Sequence, residues 1–106
     1  MNETRVLADY VANAKFEDLP PQVVGRAKEL LLDHFGVALL STRTEWGRIV
    51  LKYAHEFAAI SECTVYGQPW KSSAQHAALA NGLCAHGYEF DDSYEGGFCD
   101  PGAPTI

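Results

Sequence analysis

Apolar side chains at Val6, Leu7, Tyr10, Val11 and Ala14 recur every three or four residues, which predicts a first helix over about residues 3–15. The acidic, proline-containing link from Phe16 to Pro21 then breaks the pattern. Pro21 suits the first position of a second helix, where its missing N–H has no partner to lose. From there Val24, Ala27, Leu31, Phe35 and Ala38 mark an apolar stripe running to about Leu40. Thr42 and Glu45 have capping-box spacing ahead of a third stripe, Trp46, Ile49, Val50, Tyr53 and Phe57, so a helix is expected over about 45–59.

The period changes at Cys63–Tyr66, four β-branched, aromatic or sulfur-bearing residues that form a short extended stretch able to serve as an edge strand. Gly67, Pro69 and the Ser72-Ser73 pair close it as a turn. Ser72 or Ser73 can cap a fourth helix over Ala74–His86, whose alanines and Gly82 would let neighbouring backbones approach closely. Beyond Gly87 the chain is rich in glycine, acid and aromatic residues, with Pro101 and Pro104, and reads as a loop. The expected architecture is all-α: about four helices, one short extended segment and an acidic carboxyl-terminal loop, with no internal repeat.

A chain of 106 residues is long enough for one domain, or part of one, and its 47% hydrophobic and 21% charged content argues for folding over disorder. The net charge of -6, from 14 acids and 8 bases, leaves no basic surface for nucleic-acid phosphates or anionic lipid. The longest apolar runs, Leu30–Leu32 and Val37–Leu40, fall far short of the roughly 20 residues a membrane helix needs. Nor does the chain start with a basic stretch followed by an apolar run, so a cytoplasmic address is expected. Cys63, Cys84 and Cys99 are odd in number and widely spaced, which favours reduced, buried thiols over a disulfide framework or a zinc knuckle.

Candidate chemistry is concentrated in one place. His86, Glu89, Asp91 and Asp92 fall within seven residues, and Ser93 adds a hydroxyl. Carboxyl groups this close would raise at least one carboxyl pKa if buried, giving a proton donor near neutral pH beside a potential base. Each has a plainer reading. His86 shares a helical stripe with Leu79 and Leu83 and can be a core or helix-end histidine; Asp91 and Asp92 can be solvated loop acids; Asn81-Gly82 can be a packing position. A calcium loop fits Asp91, Ser93, Glu95 and Gly96 at its first, third, fifth and sixth positions, but Gly102 stands where a bidentate glutamate belongs. His86 and Glu89 could supply two metal ligands, with no third or fourth at a useful spacing.

The run from Ala77 through Asn81-Gly82, His86 and Glu89-Phe90-Asp91-Asp92-Ser93 to Asp100-Pro101-Gly102 resembles the MmgE/PrpD family. That family includes 2-methylcitrate dehydratase and cis-aconitate decarboxylase. Its pattern is an alanine-rich helix with Asn-Gly, a histidine, an acid and an aromatic before Asp-Asp-Thr/Ser, and then His-Pro-Gly or His-Pro-Ser. Leu19–Val24, Leu30–Asp33 and Thr64–Gly67 resemble the family's second helix and extended segment, so the likeness covers nearly the whole chain.

The resemblance implies the amino-terminal helical domain, in part, of a longer enzyme whose active site lies between it and a second domain. It further implies a cofactor-independent lyase acting on a small di- or tricarboxylic acid, although relatives also include an epimerase. On that reading His86, Asp91 and Asp92 are catalytic and Ser93, Glu89, Asn81 and Asp100 bind substrate, with no metal. Two positions depart from the pattern: Glu89 stands in place of the common Asp, and Asp100 in place of the His before proline, which removes a group titrating near neutral pH. After Lys71 the chain has no Lys or Arg, and only His76 and His86 could meet a carboxylate substrate. The rest of the clamp must come from elsewhere, and the chain alone is expected to be inactive. Rival readings are a non-catalytic helical interaction module that pairs with its own copies through exposed apolar faces, and a carboxylate-rich metal-binding domain.

Overall fold

The computed structural model describes residues 2–90 together with 93, 94, 96 and 97. Its elements in order are α1 (Glu3–Asn13), a single 3-10 turn (Phe16–Asp18), α2 (Pro21–Ser41), α3 (Glu45–His55), β1 (Cys63–Thr64), β2 (Lys71–Ser72) and α4 (Ala74–His86). The all-α expectation holds, and the expected extended segment is paired with β2 in a minimal two-stranded sheet.

Asn2 starts α1 by accepting from the Arg5 amide at 3.2 Å, and the helix ends where Ala14 turns extended. None of its residues is buried, and Val6, Leu7, Tyr10 and Val11 are all more than 60% exposed. The stripe read from the sequence is therefore present but uncovered.

The corner between α2 and α3 depends on one hydroxyl. Thr44 Oγ1 donates to the Ser41 carbonyl at 2.7 Å and accepts from the Gly47 amide at 3.0 Å, tying the end of one helix to the start of the next. A Cβ on Gly47 would overlap the Ser41 carbonyl oxygen, so glycine is required by the closeness of the two backbones. The cap expected at Thr42 thus sits two residues later; the Thr42 hydroxyl turns back onto the Leu39 carbonyl at 2.7 Å. Helix α3 is also shorter than its apolar spacing suggests. At Glu56, Phe57 and Ala58 each amide bonds the carbonyl three residues back, which tightens the chain into turns before residue 59.

Strand β1 pairs antiparallel with β2, Cys63 opposite Ser72 and Thr64 opposite Lys71. The connection includes a turn closed by Gln68 N–H donating to the Val65 carbonyl at 3.1 Å, with Gly67 at φ +69° as that turn needs. The Ser72 hydroxyl then donates to the Ala54 carbonyl at 2.8 Å, anchoring the hairpin to the end of α3.

Helix α4 lies against both α2 and α3 and turns Ala77, Ala80, Cys84 and Ala85 into the core, where they meet Ala38, Val50, Leu51, Ala54 and Val65. Small side chains bring the helix backbones close together, and the core is correspondingly thin. Against α4, helix α2 buries His34, Val37, Ala38 and Ser41. This face is rotated from the stripe expected through Leu31 and Phe35, which remain about two-fifths exposed. The radius of gyration, 16.4 Å, exceeds the roughly 13 Å of a compact domain this long, as the uncovered α1 would suggest.

Candidate active site

His86 is the last residue of α4, a position where the helix dipole favours a cationic side chain. Gly87 N–H closes the helix onto the Leu83 carbonyl at 2.9 Å, and Glu89 N–H returns to the His86 carbonyl at 2.9 Å. Glu89 has φ +54°, the left-handed region that non-glycine residues rarely enter. The turn brings Glu89 Oε1 to 3.6 Å from His86 Nε2. Both side chains are open to solvent, 49% and 77% exposed, so the pair is screened by water.

His86 is therefore a helix-end histidine and not a core one. Leu79 and Leu83, its stripe mates, share the outward face. Glu89 is exposed. Ser93 is exposed as well. Asp91, Asp92 and Asp100 lie outside the described residues, as do Glu95 of the calcium-loop pattern and Cys99.

Asn81 is placed differently. It is half-buried on α4, with Oδ1 accepting from the Tyr66 amide at 2.9 Å and Nδ2 donating to the Thr64 carbonyl at 3.0 Å. Both ends of its carboxamide hold the backbone leaving β1, so the position carries more than close packing.

The amino end of α4 did not develop as the sequence suggested. Ser73 occupies the cap position, yet its hydroxyl pairs with His76 Nδ1 at 2.6 Å, while Glu62 Oε2 accepts from the Ala74 amide at 3.2 Å. His76 in turn stacks on Phe57, with ring centroids 3.6 Å apart.

Two residues take positions that the sequence did not connect with the candidate site. His34, 5% exposed, sits edge-on to Phe35 and Tyr66, so it belongs to the layer that Asn81 helps to hold. Trp46, at the start of α3, lies against Gly87 and Tyr88; a Cβ at Gly87 would come within 2.6 Å of the indole. The ring of Tyr88 stacks in turn on Phe90.

Cys63 is half-buried and Cys84 buried, both as free thiols, and burial pushes the Cys84 thiol pKa up. Among the described residues no three His, Cys, Asp or Glu side chains gather in a way that could hold a metal ion, and no helix is long and apolar enough to cross a membrane.

A family model described as the MmgE/PrpD N-terminal domain matches residues 5–106. The chain belongs to the MmgE/PrpD family. Within reach of that assignment, the chain is 30% identical over 92 residues to the cis-aconitate decarboxylase of Mus musculus and 32% identical over 92 residues to that of Homo sapiens. Each of these matches covers 86% of this chain and 19% of the relative. The cis-aconitate decarboxylase of Aspergillus terreus is 28% identical over 89 residues, covering 84% of this chain. The chain thus spans about a fifth of the length of these relatives, and the His86–Glu89 turn lies within the MmgE/PrpD match.

Proposed function

We propose that this chain supplies the acidic share of the active site of a cofactor-independent lyase acting on a small di- or tricarboxylic acid. The observation that carries the reading is the likeness to cis-aconitate decarboxylases over 86% of the chain, together with the closeness of His86 and Glu89, whose side chains come within 3.6 Å. Elimination of carbon dioxide or water next to a carboxylate needs an acid or base at the reacting carbon and groups that steady the developing enediolate. His86, Asp91 and Asp92 are the candidates for proton transfer, and Ser93, Glu89 and Asp100 for contact with substrate. The Asn81 geometry favours a role in holding the site's framework. Cationic groups for the substrate carboxylates come from protein outside this chain, because only His76 and His86 are available after Lys71.

Incubation of the chain alone with cis-aconitate and with 2-methylcitrate tests the last point. No turnover is expected, and turnover at an ordinary enzymatic rate would show that the cationic clamp is not needed. A second reading, a helical module that associates with its own copies, is favoured by one observation, the uncovered α1 stripe of Val6, Leu7, Tyr10 and Val11.

A further inference from the structure

We propose that Trp46 is the positioning residue for the His86–Phe90 turn, setting from α3 the geometry of a pair that belongs to α4 and the chain beyond it. This rests on reading that turn as part of the carboxylic-acid site. Three observations support it. The indole occupies the space above Gly87 so closely that a Cβ there would meet Cη2 at 2.6 Å and Cζ3 at 2.8 Å. Its ring then meets Tyr88 edge-on, with centroids 6.1 Å apart, and Tyr88 stacks on Phe90 at 5.2 Å. Between those aromatic residues lies Glu89, in a left-handed conformation that costs about 1 kcal/mol or more for a residue with a Cβ and persists where neighbouring contacts over-determine it.

Within the turn, the described backbone bonds are Gly87 N–H to Leu83 and Glu89 N–H to His86, and Glu89 itself is exposed. The indole, with Gly87 against its face and Tyr88 packed edge-on to it, is the wall against which the turn is set. Trp46 is in turn held at the first turn of α3, where Thr44 caps the helix and Gly47 is pressed onto Ser41. A rigid corner between α2 and α3 thereby fixes the direction in which the Glu89 carboxylate meets His86.

The test is amide hydrogen exchange on the full 106-residue chain, comparing wild type with Trp46→Ala, Trp46→Leu and Trp46→Phe. In Trp46→Ala and Trp46→Leu the protection of the Glu89 amide should fall by at least about tenfold while Ala80 and Cys84, in the middle of α4, keep theirs. Trp46→Phe, which retains an aromatic face, should restore most of the Glu89 protection. Unchanged Glu89 protection in the Ala and Leu variants would overturn the proposal. So would an equal loss across all of α4, which would make Trp46 an ordinary core residue, or a failure of Phe to rescue where Leu does. The readout needs no substrate, so it stands or falls separately from the lyase reading.

Discussion

Asn81 Oδ1 accepts from the Tyr66 amide at 2.9 Å, joining the helix that carries the candidate catalytic histidine to the loop that follows β1. The same carboxamide donates to the Thr64 carbonyl at 3.0 Å. Asn81→Ala would leave a half-buried amide and a carbonyl without their partner, at a cost of about 1–3 kcal/mol in urea unfolding. Asn81→Asp should cost a similar amount, because a carboxylate facing the Thr64 carbonyl has no proton to give. If Asn81→Ala left stability unchanged, the framework role would be contradicted.

Two substitutions separate the cap from the close approach at the α2–α3 corner. Thr44→Ala removes one side-chain acceptor at a helix start and should cost about 1 kcal/mol. Gly47→Ala forces a methyl group into the Ser41 carbonyl and should cost more, about 2 kcal/mol or above, since neither backbone can retreat without breaking the corner. Thermal unfolding of the two variants side by side gives the ranking, and the opposite order would show that the corner can relax.

These two sites also show what the sequence made legible. The bounds of α4 could be read because an alanine-rich stretch is bracketed by the Ser72-Ser73 pair and Gly87, so propensity and punctuation agree. The end of α3 could not, because Phe57 keeps helical spacing while the backbone has already tightened into turns. Strand β2 has two residues, too short for any period to register. The face of α2 that meets α4 is decided by which side chains are small enough for an alanine-lined partner, and hydrophobic spacing alone points instead to the larger Leu31 and Phe35. Within the site, His86 and Glu89 were visible as a motif, but the contact of Trp46 with Gly87 joins residues far apart in sequence and follows only from how α3 and α4 pack.

Burial should protect Cys84 chemically as well as raise its pKa. In native protein an aromatic disulfide reagent should label half-buried Cys63 at least about tenfold faster than Cys84, and denaturant should abolish the difference. The linkage sign is fixed by the direction of the shift. A thiol whose folded pKa is raised stabilises the fold fully below about pH 8.5, where an exposed cysteine ionises, and that contribution is lost as pH rises through the folded value. Stability should decline from pH 8 to 10, and decline less in Cys84→Ala. An equal decline in both proteins would place the pH sensitivity elsewhere.

If copies of the chain associate, α1 is the surface on which they should do so. Leu7→Glu and Val11→Glu place charge in the centre of the uncovered stripe without touching the α2–α3–α4 core. Sedimentation velocity at rising concentration should show wild type associating and the double variant remaining monomeric, with unchanged helical circular dichroism. Association that survives both substitutions would move the contact off α1.

The central claim, that the chain carries proton-transfer groups of a carboxylic-acid lyase, is tested most directly by grafting. Residues 5–106 would replace the matching segment of the mouse cis-aconitate decarboxylase, and release of carbon dioxide from cis-aconitate would be measured in chimeras shown to be folded. The account predicts measurable decarboxylation that His86→Ala or Asp91→Ala lowers by about 10²–10⁴-fold in kcat. A folded, active chimera indifferent to both substitutions would contradict it.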